Sequence, residues 1–319
     1  MKKFPNKLKI ALEKVQDLRY GENPHQKAAF YREIGHKGVG IADSKQLHGK
    51  ELSYNNIYDI DAAWNIVNHF ADPTVAIIKH TNPCGAAQAS TIAEAYRKAY
   101  ECDTVSAYGS IIAANRMIDL ETAGELSKLF VEAVIAPDYD KAALAKLKEK
   151  QNLRILQMPK KAVNKPIKGF DFKRVRGGFL VQDPDNAELS MADIKVVSKK
   201  QPSVEEMEDM FFGFGMVKYV KSNAIVVVKN KRTIGIGAGQ MSRVDSSEIA
   251  LGKASKMGGG GVVASDAFFP FRDSVDLAAK HGITAIIEPG GSKRDDEVIT
   301  AADEHGIALV FTGRRHFRH

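Results

Sequence analysis

Cysteine is scarce in this 319-residue chain, which has only Cys84 and Cys102. Two thiols cannot build a disulfide framework, and their scarcity fits a reducing compartment. The chain also has no run of about 18 consecutive apolar residues, the length a membrane span needs. Its N-terminus, MKKFPNKLKIALEKVQ, has the charge of a secretion signal but lacks the apolar core and the small-residue cleavage site. A cytoplasmic protein with no membrane partner is expected. No tract gathers the charge either: the net +7 is spread along the sequence. Nucleic acid is therefore not indicated as a partner, and phosphorylated or carboxylated small molecules account for the balance equally well. With 44% hydrophobic and 27% charged residues, the composition is that of an ordinary globular protein of one large or two smaller domains.

The stretch that organises the rest is TVAIIKHTNPCG, residues 74–85. An apolar, β-branched run stops at Lys79-His80, and a Pro-Cys-Gly turn is expected to follow. Such a strand delivers two ionisable side chains to a loop at the end of a sheet, where ligands bind in open α/β folds. A strand that merely finishes in polar residues is the competing reading. Around it the periodicity alternates between strand and helix. A helix capped near Asn56 precedes the stretch, and further helices are expected near 91–101, 119–130 and 140–149. Strands are expected at SIIAA, VEAVIA and LRILQM. Residues 159–202 are rich in Lys, Pro and Gly, with a strand pair around Gly177-Gly178, and read as a connection. From 203 the alternation resumes. The expected architecture is α/β, with a first lobe over 1–158 and a second over 203–319. Each lobe is a mostly parallel sheet flanked by helices, and no sequence repeat between them is evident.

Several motifs have competing explanations. RYGENPHQ (19–26) is a turn-rich loop whose Arg19 and Tyr20 suit a phosphate, or simply a surface turn. GIGAGQ (235–240) lacks the spacing of a dinucleotide fingerprint, and Gly258–Gly261 lacks the Lys-Ser/Thr of a phosphate loop. The glycine run suits a hinge or a close backbone approach to a ligand. His80 with Pro83-Cys84 hints at a zinc deaminase, but no second cysteine follows at the required spacing, so no catalytic metal is expected. SDAFFPFRD (265–273) is either a buried hydrophobic loop or an aromatic wall for a flat heterocycle. The basic RRHFRH terminus matters only if it folds back onto an anion. Trp64 is expected in the core.

Taken together, RYGENPHQ, LSYNN, KHTNPCG, SAYGSIIAAN, KSNAIVVVKN, IGIGAGQMSR and SDAFFPFRD, in this order, resemble the AICAR transformylase domain of the bifunctional purine-biosynthesis enzyme. The resemblance covers nearly the whole chain. It implies two cytidine-deaminase-like lobes without zinc, and a homodimer with active sites at the subunit interface. It also implies transfer of a formyl group from 10-formyltetrahydrofolate to the 5-amino group of AICAR. Too few residues precede Arg19 for a cyclohydrolase domain, so a separate IMP cyclohydrolase is expected. Carried over position by position, His80 stands at the family's general base and Lys79 at its transition-state stabiliser, with Asn223 and His319 also in the catalytic set. Arg19, Tyr20, Gly109, Glu132, Phe268 and Arg315 stand at nucleotide positions. Glu132 replaces the Asp of some members and keeps its charge. Arg243, Asp273, Ser292 and Lys293 stand at folate positions.

These residue types suit that chemistry. The AICAR amine is a poor nucleophile, and removing its proton as it attacks needs a base near neutral pH, which suits histidine. The collapsing tetrahedral intermediate carries an oxyanion that a lysine can stabilise. A nucleotide-binding protein without catalysis, and a formyltransferase with another one-carbon donor, are the alternative readings.

Overall fold

The computed structural model describes residues 4–319. Strands β1 (Leu12–Leu18) and β2 (Ala28–Glu33) form an antiparallel hairpin, and β3 (Lys45–His48) follows. Helix α1 (Tyr54–His69) starts at Ser53, whose hydroxyl accepts the Asn56 N–H while the Asn56 side chain answers the Ser53 N–H. The cap is therefore Ser53, and Asn56 is its capping-box partner. Next come β4 (Thr74–Lys79), β5 (Asn82–Gln88), α2 (Ile92–Glu101), β6 (Ser110–Ala114), α3 (Leu120–Leu126), β7 (Val131–Ala136), α4 (Lys141–Lys148) and β8 (Arg154–Gln157). The middle segment holds the hairpin β9 (Asp171–Val175) and β10 (Gly178–Gln182), then β11 (Lys195–Val196). The remainder is α5 (Val204–Val217), β12 (Ile225–Lys229), β13 (Arg232–Gly237), α6 (Arg243–Lys256), β14 (Gly261–Ser265), α7 (Asp273–Lys280), β15 (Ile283–Glu288), α8 (Asp295–Glu304) and β16 (Ala308–Phe311).

The fold is α/β, as expected, but its sheet is mixed rather than mostly parallel. Twelve strands run in the order β11-β16-β15-β14-β12-β13-β5-β4-β6-β7-β8-β3. Among the described residues, only β14-β15, β15-β16, β6-β7 and β7-β8 pair as parallel strands. The expected Pro-Cys-Gly turn is strand instead: the chain reverses one step earlier, at His80-Thr81, and Pro83 to Gly85 run back along β4. The reversal lacks the Asn-Gly or Asp-Gly signature that marks most two-residue hairpins, so it is hard to read from the sequence.

The two halves repeat each other. Each has a helix, an antiparallel hairpin, then three parallel strands linked by helices, with strand order β5-β4-β6-β7-β8 in one and β13-β12-β14-β15-β16 in the other. They join edge to edge where β13 meets β5. There the Thr233 hydroxyl accepts the Ala86 N–H at 2.9 Å, and Gln88 N–H donates to Lys231 O at 2.9 Å. Successive residues of β4 face opposite sides. Ala76 and Ile78 pack with α1 and α5 in a core that continues across the joint to Val226 and Phe214, and Trp64 lies in it. Val75 and Ile77 face a second core over α2–α4, and a third lies under α6–α8. Both faces of the sheet are thus covered, each buried Ile or Val contributing roughly 1.5–3 kcal/mol.

Gly235 and Gly237 of GIGAGQ serve this packing. A Cβ on Gly235 would lie 2.0 Å from the Ala250 carbonyl of α6, and one on Gly85 would lie 2.1 Å from the Ala99 carbonyl of α2. Gly258–Gly261 all have positive φ. They form the turn from α6 into β14, folded against the protein's own backbone at Val228.

Candidate active site

His80 and Thr81 are the two turn residues between β4 and β5, and both are left-handed, with φ of 53° and 62°. That conformation is costly for a β-branched residue. It is held by Asp59 of α1, whose carboxylate accepts the Thr81 N–H at 2.7 Å. The Thr81 hydroxyl and the Asn82 amide both donate to the His80 carbonyl, at 2.7 and 3.3 Å. The His80 ring is left exposed. Burial raises the Asp59 pKa, while the Thr81 N–H and the nearby His80 ring act in the opposite direction.

Lys79 ends β4 and donates one N–H to the Tyr108 carbonyl at 3.0 Å. The next residue, Gly109, has φ of 72° and donates its N–H to Phe130 O at 2.8 Å. A positive φ is strained for residues other than glycine. The exposed Tyr108 ring rests on Phe130, centroids 5.2 Å apart. Glu132 lies at the start of β7, in an ion pair with Arg154 at 2.7 Å. Arg19 and Tyr20 sit in the β1–β2 loop, the guanidinium over the ring and donating to its hydroxyl at 2.8 Å. The Asn55 amide of α1 ties that loop down through Glu22 O.

The second half reaches the same edge of the sheet. Asn82 accepts the Lys221 N–H at 3.1 Å, which brings Ser222-Asn223 beside the β4–β5 turn. The Asn223 amide donates to the carbonyls of Gln240 and Met241, at 3.0 Å each. Its oxygen accepts from Arg243 at 2.7 Å. Arg243 is buried and pairs with Asp266 at 2.6 Å, also donating to Ser265. Its charge is therefore balanced inside the protein, and it orients Asn223. Phe268 is exposed, Phe269 is in the core, and Phe271 is exposed under the Arg294 guanidinium at 4.9 Å. The stretch is thus part core and part exposed aromatic surface. Asp273 is exposed at the start of α7. Ser292 and Lys293 lie on the loop after β15, where Asp295 accepts the Ser292 N–H at 2.9 Å.

The terminus does fold back. His316 is buried, bonded to Asp185 at 2.5 Å, and its N–H donates to Asp266 O. The Arg318 carbonyl accepts the Ser222 N–H at 2.9 Å, and the Arg318 N–H donates to the Ser222 hydroxyl at 3.1 Å. Arg315 and His319 remain exposed, both against Phe317. Cys84 is enclosed in β5, where burial pushes its thiol up to about 12.

The site is an open edge. A cavity of about 1000 Å³ lies elsewhere, between α5 and the middle segment, lined by Phe211, Phe214 and Lys218. Sequence reasoning missed Asp59, Asn82, Ser222 and Asp266. One signal was available: Asp209, Asn230 and Lys231 stand 150 positions after Asp59, His80 and Thr81. The Asp209 carboxylate accepts the N–H groups of Asn230 and Lys231 at 2.9 and 2.6 Å, the same clasp on the matching turn.

Residues 1–253 match the family model described as AICARFT/IMPCHase bienzyme. A bifunctional purine biosynthesis protein PurH from Acetivibrio thermocellus is 54% identical over 316 residues, which is 99% of this chain and 62% of that relative. The chain thus spans less than two thirds of the length of the curated relative it matches.

Proposed function

The chain belongs to the AICARFT/IMPCHase bienzyme family, and from that premise we propose that it transfers the formyl group of 10-formyltetrahydrofolate to the 5-amino group of AICAR. The products are formyl-AICAR and tetrahydrofolate, in cytoplasmic purine biosynthesis. Ring closure falls to an IMP cyclohydrolase activity outside these residues. The observation that carries the reading is the turn at Lys79-His80. It holds two ionisable groups in a fixed, solvent-reaching geometry, on the sheet edge that also carries Asn223, Phe268 and the folded-back terminus.

In this reading the His80 imidazole takes the proton of the attacking amine. Histidine is the side chain type suited to proton transfer near neutral pH. Lys79 gives one N–H to Tyr108 O, and its remaining two face the developing oxyanion. Asn223, fixed by Arg243 and the Gln240 and Met241 carbonyls, offers its oriented side-chain oxygen to the nucleotide. Arg19, Tyr20 and Arg315 take the phosphate, with Gly109 and Glu132 lining the nucleotide side. Asp273, Ser292, Lys293 and the Arg243 region take the folate, and His319 closes the site. Tyr108, Met241, Phe268 and Phe271 are exposed along this edge, which supports a homodimer in which a second copy covers it.

The test is tetrahydrofolate release from AICAR and 10-formyltetrahydrofolate by the wild type, Lys79→Ala and His80→Ala. Turnover is expected to fall by about 10²–10⁴ in His80→Ala and comparably in Lys79→Ala. Formyl-AICAR is expected to accumulate until a cyclohydrolase is added. His80→Ala with wild-type turnover sinks the assignment.

A further inference from the structure

Glu288, at the end of β15, is fully buried. One carboxyl oxygen accepts the Phe269 N–H at 2.5 Å, and the other has no partner. The amide it holds joins Phe268 to Phe269. One ring of that pair is anchored in the core and the other is exposed on the site edge. The backbone around Glu288 gathers the other loops of the edge. Its carbonyl accepts the Thr312 N–H at 2.9 Å, and Pro289 O accepts the Gly313 N–H at 2.9 Å, which starts the terminus on its path. Ser292 and Lys293 follow four and five residues on.

We propose that Glu288 is a positioning residue that, in its neutral acid form, fixes the Phe268–Phe269 peptide and so sets the Phe268 ring against the nucleotide. The proposal rests on the formyltransferase reading. A neutral acid can accept the Phe269 N–H and leave its second oxygen dry at modest cost, whereas a carboxylate would leave a bare charge there. The charged groups facing it are Asp295, which opposes ionisation, and Arg243, which favours it but is already paired with Asp266. Burial dominates and pushes the Glu288 pKa up to about 8. The backbone hydrogen bonds of Glu288 do not depend on its side chain. Substitution should therefore act on the Phe268 loop and spare the loop of Ser292 and Lys293.

The test compares wild type, Glu288→Gln and Glu288→Ala from pH 6.5 to 9. In the wild type, KM for AICAR should rise above about pH 8. Gln, which keeps the neutral acceptor, should abolish that rise relative to wild type while preserving the KM at pH 7. Ala should raise the AICAR KM about tenfold at pH 7, with kcat and the KM for the folate donor changed much less. A Gln variant that retains the alkaline rise, or an Ala variant with unchanged AICAR KM, overturns the proposal. Hydrogen exchange at the Phe269 amide, read without substrates, separates the two claims. It should be faster in Ala and unchanged in Gln at pH 7, and equal protection in Ala overturns the latch. If the wild type shows no formyl transfer, the functional reading fails, and the exchange result still decides whether Glu288 holds the loop.

Discussion

A carboxyl group taken out of water keeps its proton, and Glu288 is enclosed on every side. Burial raises its pKa to about 8, above its ordinary value of 4.5. The folded state therefore binds the proton more tightly. The stabilisation is fully present below about pH 4.5 and is lost as pH rises through about 8. Glu288→Gln, which does not titrate, should gain on the wild type across that window. The gain should level off above pH 8 at up to roughly 5 kcal/mol, and chemical denaturation at pH 5, 7 and 9 measures it. Residues of this kind do not stand out from their neighbours in sequence. Lys79-His80 and RYGENPHQ stand out because their neighbours in sequence break a pattern. Asp59, Asp266 and Glu288 acquire their roles only from partners 22, 23 and 19 positions away.

The hairpin with its helix aspartate is the element that the molecule uses twice. Asp59 clasps His80-Thr81, and Asp209 clasps Asn230-Lys231. Both carboxylates satisfy backbone N–H groups in left-handed turns, so losing either should cost about 1–3 kcal/mol of stability. Their effects on turnover should differ. Asp59→Ala frees the turn that carries His80 and should lower kcat about tenfold or more. Asp209→Ala, at the matching turn without a histidine, should leave kcat near the wild type. Equal losses of kcat would contradict a role specific to the first turn. The helices and most strands of this element were legible from periodicity. The reversal at His80-Thr81 was not, because its left-handed backbone is enforced by a carboxylate from α1 and not by turn-forming residues.

For the molecule as a whole, the α/β alternation gave the class and the order of elements, whereas strand pairing had to be seen. That β4 pairs with β5 on one side and β6 on the other, antiparallel to both, is settled by contacts that local pattern does not encode. The same holds for the repeat: its identical residues are few, and the clasp geometry reveals it. The joint between the halves has a consequence for the chain's integrity. The turn at Arg176–Gly177 between β9 and β10 is exposed, and that hairpin forms a sheet of its own. The β5–β13 edge and the core around Ile78 and Val226 lie far inside. A protease nick between Gly177 and Gly178 should therefore sever the backbone without parting the fragments. They should elute together under native conditions and separate only in denaturant. Fragments that separate in buffer would show that the covalent link, and not the shared sheet, holds the lobes. The nicked protein would otherwise be a pair of complementing fragments, able to reassemble from separately produced pieces.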